Sequence, residues 1–296
     1  MVMAIQDISE EQVKEILKGI KIPPQPQIMV DLQMEQAMPD PDVNRISELI
    51  SHDASLSGTI LKVVNSSFYA LPNKITSIHQ TVNILGMNSV VNIVNGISIK
   101  SALSDGQIRE LTRFWDSAMD IAMVSTTIAK QVKYPNPDEA YALGLFHNVG
   151  IPLLMARFEN YLGYLLGGYA SNQERVIDFE NQQLNCNHAV VGYYMAKSWN
   201  LPTVLCEVIA EHHSSIGMFA KGDVVHNEKN TLLAILKLSE HISGLYMILG
   251  QQNVDHEWNN IEKGVLEYLG LNEYDLESLR ALLFDMGICP EDYGTV

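Results

Sequence analysis

The chain has 296 residues, is 47% hydrophobic, and carries 35 acidic against 19 basic residues for a formal net charge of −16. That length supports one large core or two medium ones, and so acidic a surface repels phosphate backbones and anionic lipid, which excludes nucleic acid and membrane as expected partners. Cys186, Cys206 and Cys289 are odd in number, far apart and without CxxC spacing, so reduced thiols in a cytoplasmic protein are expected.

The first residues, MVMAIQDISEEQ, have neither a basic region nor an apolar run, so a signal peptide is not expected. No apolar segment approaches the ~18 residues that span a bilayer. After Ser9, Glu10 to Leu17 reads as a short amphipathic helix. The prolines of IPPQPQ, Ile22 to Gln27, force an extended segment. A helix from about Ile28 to Ala37 stops at Pro39, and Asp40-Pro41 or Asp42 starts another with Ile46, Leu49 and Ile50 on one face. Asp53 caps a third, with Leu56, Ile60, Val63 and Val64 at helical spacing. It runs into NSSFYALPNKITSI, Asn65 to Ile78. Ser77 then caps a helix closed by Gly86, and Asn88 opens one from Ser89 to about Ala102. SDGQ, Ser104 to Gln107, is the most loop-like link and marks a boundary between lobes.

Leu111 to Val132 predicts a long helix with Phe114-Trp115 near its start. Next, Asn136 is a cap, Pro137 occupies the first helical position and Glu139 lies three residues past the cap. Ala140 to Phe146 is almost wholly apolar, so this helix is buried nearly all round. It delivers the polar pair His147-Asn148 into the core. Val149-Gly150 makes a break, and Pro152 opens a helix to about Tyr169. Asn187 caps a helix from His188 to Trp199, stopped by Asn200 and Pro202. A short helix from Pro202 ends on Glu211-His212-His213, with Val204, Val208 and His212 on one face. A polar loop, Ser214 to Asn230, precedes a long apolar helix from Leu232 to Leu249, and the tail from Val254 holds two shorter helical stretches.

Strand alternation is almost absent, so the expected fold is all-α, two packed helical lobes. The expected divisions are an N-terminal helix over 1–19, a first lobe over 20–106, a second over 107–213 and a C-terminal helical extension over 214–296. Phosphate-binding glycine loops, GxGxxG, HExxH and GxSxG are missing. Ser77 to Ala102 superficially suggests a DNA-reading helix pair, but SVVNIVNGISIKSA has one basic residue and mostly apolar ones, so core packing is expected. Cys186 precedes His188 by two residues, yet no second pair with zinc-finger spacing exists.

Taken without further context, His147 and Asn148 read as a buried polar pair satisfying a helix end. His188 reads as a first-turn histidine at the lobe surface or in a pocket, and His212 and His213 suit a helix C-terminus. Glu240, beside Lys237, reads as a solvated glutamate, with the pocket as its alternative position. Asn65, Ser66, Phe68 and Tyr69 read as capping and aromatic anchoring, or as a contact surface.

Several stretches together resemble the HDOD domain, a relative of the HD-type metal phosphohydrolases, over about Ile20 to His213. The match is carried by IPPQP, by ISELISHDASLSGTILKVVNSSFYALPNKITSIHQTVNILG (Ile46 to Gly86), and then by FWDSA, AYALGLFHNVG, NHAVVG and EHH in order. The resemblance implies an HD-like bundle for the second lobe. It also places Ser117 where the first metal-binding histidine is expected, His147-Asn148 at the His-Asp pair, and Ile151 where the cyclic-dinucleotide branch has a lysine. His188, His212 and His213 match later histidines, and Glu240 falls near the final aspartate. A neutral amide at Asn148 loses the pull of a carboxylate on a cation, and Ser117 removes a nitrogen donor. The implied protein is therefore non-catalytic, without metal or cofactor. It would be a bacterial signal-transduction module working through a protein partner such as a sensor, a diguanylate-cyclase-type enzyme or a regulator. One alternative is a phosphohydrolase of nucleotides or cyclic dinucleotides with one metal on His147, His188 and either His212 or His213; another is nucleotide binding without turnover. Phosphate recognition needs arginine or lysine nearby, and the first helix of that lobe offers Arg113 and Lys130.

Overall fold

The computed structural model describes residues 10–66, 69, 71–103, 110–220 and 224–288, and every regular element among them is helical. The chain divides into two compact units. One comprises residues 1–22, 106–280 and 289–296, and the other residues 23–105 and 281–288. Residues 214–280, expected as a C-terminal extension, fall in the same unit as residues 107–213.

Helix α1 (Glu10–Ile16) begins the larger unit, and the smaller one is built from α2 (Gln27–Gln36), α3 (Val43–Ser51), α4 (Ala54–Val64), α5 (Ile78–Leu85) and α6 (Met87–Leu103). Three of its helices start at side-chain caps. Asp42 accepts from the Asn44 amide, Asp53 from Ser55 and Leu56, and Ser77 from Gln80, each occupying amides that the helix start leaves unpaired. Ile46 and Ile50 of α3, Ile60 and Val64 of α4 and Val90 and Val94 of α6 repeat at helical spacing and are fully buried together. Each contributes roughly 1.5–3 kcal/mol by leaving water.

The larger unit continues with α7 (Glu110–Gln131), α8 (Pro137–Phe146), α9 (Gly150–Arg157), α10 (Tyr161–Ala170), α11 (Val176–Leu184), α12 (His188–Ser198) and α13 (Thr203–Glu211). A 3-10 turn over His212–Ser214 leads into α14 (Ser215–Phe219), α15 (Glu228–Ile242), α16 (Leu245–Ile248), α17 (His256–Leu269) and α18 (Glu273–Asp285), the last running into the smaller unit. At its centre α15 touches α7, α8, α13 and α17.

Four expectations differ from this arrangement. The helix expected from Pro152 to Tyr169 is two, α9 and α10, parted at Phe158, whose backbone is extended. Helix α11 was not anticipated, and α14 lies inside the expected polar loop. The expected helix to Leu249 is broken after Ile242, where Gly244 adopts φ +66°, a left-handed conformation that glycine takes without strain.

Candidate functional site: a buried histidine cluster

From Ala140 to Phe146 helix α8 is apolar, and it packs among α7, α13 and α15. It therefore ends inside the unit, with His147 at its C-cap. After the turn, α9 begins at Gly150, where a β-carbon would stand 2.0 Å from the His188 carbonyl oxygen. Only glycine permits that approach. It sets the His147 turn against the first turn of α12, whose cap Asn187 accepts from the Val190 amide at 2.9 Å. His188 thus points inward from the start of one helix, while His212 and His213 enter from the end of α13.

The ring nitrogens of these histidines are directed by their partners. His212 donates Nδ1–H to the Ile209 carbonyl (2.7 Å) and His147 donates its own to the Gly144 carbonyl (2.7 Å). A carbonyl can only accept, so in both rings Nε2 carries a lone pair. His188 directs Nδ1 at Glu180 (2.8 Å to Oε2), and His213 directs Nδ1 at Glu257 (3.2 Å to Oε2). Glu180, fully buried, also accepts from the backbone amide of His188 and the Tyr161 hydroxyl. The remaining nitrogens converge: His188 Nε2 lies 3.4 Å from His212 Nε2 and 3.1 Å from His213 Nε2. Burial is the main force keeping His147, His212 and His213 neutral. It lowers His147 to about 3 and holds His212 and His213 well below the usual histidine range, with Lys237 and the neighbouring imidazoles acting in the same direction.

Beside the histidines lies a buried ion cluster. Lys237 Nζ sits 2.8 Å from Glu240 Oε2 and 3.1 Å from Glu257 Oε1, and Ser215 donates its hydroxyl to Glu257. Burial opposes the lysine's charge, and the two carboxylates outweigh it, holding the ammonium above its ordinary range. Burial pushes Glu240 up to about 7 against the pull of Lys237. The expectation of a solvated Glu240 is corrected here: it is 8% exposed and its Oε1 faces His147 Nε2 at 3.3 Å. Lys237 is 2% exposed. Ion pairing within α15 and to α17 makes that burial tolerable.

Of the expected positions, His147, His188, His212, His213 and Glu240 are brought together, all buried. Ser117 is buried and gives its hydroxyl to the Phe114 carbonyl of its own helix (2.8 Å). Asn148 is buried with neither amide atom bonded among the described residues, and the same holds for His147 Nε2 and Glu240 Oε1. Ile151 is a core residue. A cavity of about 110 Å³ adjoins the cluster, lined among others by Tyr169, Arg175, His213, Glu240 and Glu257. Its arginine, Arg175, was not anticipated; it is held by Asp178 through two 2.6 Å bonds. Lys130 is exposed and the Arg113 side chain lies outside the described residues.

In the smaller unit Asn65 is spent on structure. Its amide donates to the carbonyls of Leu61 (2.7 Å) and Ile75 (2.9 Å) and accepts from the Ile75 amide (2.8 Å). Ser66 is exposed, Tyr69 packs on the core, and Phe68 lies outside the described residues.

The profile of the HDOD domain family matches residues 22–215. An uncharacterized protein of Treponema pallidum (strain Nichols) is 24% identical over 65% of this chain and 38% of its own length. The uncharacterized protein YuxH of Bacillus subtilis (strain 168) is 30% identical over 39% of this chain and 28% of its own length. The chain therefore spans well under half the length of either relative. Among solved structures, an HDOD domain protein of unknown function from Geobacter sulfurreducens superposes with a TM-score of 0.69 at 19% identity, covering 93% of this chain and 97% of that one. A protein of Shewanella amazonensis SB2B provisionally named a phosphohydrolase gives 0.66 at 18% identity, covering 97% and 99%. One of Marinobacter aquaeolei VT8 provisionally named a signal transduction protein gives 0.61 at 18%, covering 95% and 67%. At these identities the likeness is one of fold.

Proposed function

The chain belongs to the HDOD domain family, and we propose that it is a regulatory module that acts by contacting another protein and hydrolyses no phosphoester. The observation that carries this reading is Lys237. Its buried ammonium lies between Glu240 and Glu257 and supplies the positive charge that a second divalent cation would bring to a two-metal hydrolase. The other substitutions act in the same sense. Ser117 has turned its hydroxyl to its own helix, and Asn148 offers only neutral amide atoms. The adjoining cavity, about 110 Å³, is below the ~300 Å³ at which small-molecule pockets begin, which favours a reading without a bound nucleotide.

A net charge of −16 favours a partner with a basic surface. Among the described residues no helix is long and apolar enough to cross a membrane. On the smaller unit, exposed Ser66 and half-buried Tyr69 border the loop that Asn65 fastens, and this is our candidate contact surface. A protein of the same fold carries a signal-transduction name, which agrees with the reading; the phosphohydrolase name of another marks the competing one.

The test is made in the native cell. His147→Gln, with folding verified by circular dichroism, is expected to cross-link to the same proteins as wild type and to leave the cellular phenotype intact. Loss of the phenotype with an unchanged partner set would contradict a role through contact alone.

A further inference from the structure

We propose that Nε2 of His188, His212 and His213 together hold one first-row divalent cation of the zinc type, at a site that uses neither His147 nor Asn148. Three donor atoms, one from each ring, lie within 4.8 Å of one another, and all three residues are buried. Their outer nitrogens are committed elsewhere: Nδ1 of His188 to Glu180, of His212 to the Ile209 carbonyl, of His213 to Glu257. Each ring therefore turns a lone pair inward, and the pairs face one another across 3.1 and 3.4 Å. Bare lone pairs at that distance repel, and a cation between them converts the repulsion into three bonds. The two spacings from His188, 3.1 and 3.4 Å, fit: two nitrogens ~2.05 Å from a tetrahedral zinc stand ~3.3 Å apart.

The surroundings have the form of a second coordination layer. Two of the three rings are backed by carboxylates and one by a backbone carbonyl, which raises ligand basicity and fixes ring orientation. Glu180 is itself anchored by Tyr161 and the His188 amide. A donor set of three neutral imidazoles suits zinc, cobalt or nickel, and is poor for magnesium or calcium, which require oxygen. Three imidazoles leave a fourth position for a solvent or ligand oxygen.

The test uses full-length protein stripped with a chelator and titrated with Zn²⁺ by calorimetry and with Co²⁺ by visible absorption. One equivalent of each is expected to bind, Co²⁺ giving the d–d bands of a nitrogen-rich low-coordinate site and Zn²⁺ raising Tm. His212→Gln is expected to weaken binding at least 100-fold, and Glu180→Gln by about 10–100-fold. His52→Gln, an exposed residue of the smaller unit, should bind as wild type. A wild type that takes up no Zn²⁺ and shows no Co²⁺ bands would overturn the proposal, and this arm decides even if the His212 variant fails to fold. Undiminished binding by folded His212→Gln would also overturn it. Bound cation without turnover sustains this site and the regulatory reading together; bound cation with turnover sustains the site and refutes the regulatory reading.

Discussion

One carboxylate oxygen of Glu180 accepts both the backbone amide of His188, at 3.0 Å, and its ring Nδ1, at 2.8 Å. The same side chain thus satisfies a free helix-start amide and sets which ring nitrogen faces the cluster. Glu180→Ala would strand the His188 donors and the Tyr161 hydroxyl in a dry interior. We expect a loss of roughly 3–5 kcal/mol in urea unfolding. Glu180→Gln, which keeps the shape, should lose about half of that.

Acid should destabilise the metal-free protein. His147 stands near 3 when folded against a model value of 6.5, and His212 and His213 are also depressed. Below pH 6.5 the unfolded chain binds protons that the folded one refuses. The stability is therefore fully present above 6.5 and lost as pH falls toward the folded values, by about 1.4 kcal/mol per pH unit for His147, with His212 and His213 acting in the same direction. Glu240, raised to about 7, acts oppositely, since the folded state takes its proton first as pH falls. Three buried histidines act in the first sense against one glutamate in the second. Unfolding free energy measured from pH 7 to 5 should fall, and a flat profile would show that the rings are not buried neutral.

Gly150→Ala should disturb the junction on which His188 depends. The added methyl would lie 2.0 Å from the His188 carbonyl, so α9 and α12 must move apart, at a cost of about 1–3 kcal/mol or more. A Tm within a degree of wild type would show that the two helices do not meet so closely.

Asn65→Ala removes three hydrogen bonds, including both that join the end of α4 to Ile75. The expected loss is about 1–3 kcal/mol, accompanied by faster amide exchange at Ile75. An unchanged exchange rate there would return Asn65 to the role of a surface contact.

Much of the fold was legible because its helices announce their own starts. Asp42, Asp53, Ser77 and Asn187 are capping residues in sequence and in structure, and the all-round apolar run of α8 already required a buried end. Helix α11 gave no such signal: Arg175 makes no side-chain cap, and after Val176-Ile177 the helix runs mostly polar, FENQQL after Asp178. Glu180 was lost with it. Lys237 and Glu240 look solvated in sequence because the group that allows their burial, Glu257, comes from a different helix. Local pattern reports where a side chain points, and it does not report a charge partner brought in by tertiary packing. The resemblance to a known family located the histidines, yet the trio whose Nε2 atoms meet excludes His147, which the ligand set it implied had included.

The most direct measurement is phosphodiester cleavage by the wild type supplied with Zn²⁺, Mn²⁺ or Fe²⁺, using bis(p-nitrophenyl) phosphate and a cyclic dinucleotide, beside His147→Gln. A regulatory module predicts equal background rates for both proteins with every metal. Saturable turnover by the wild type that disappears in His147→Gln would contradict it.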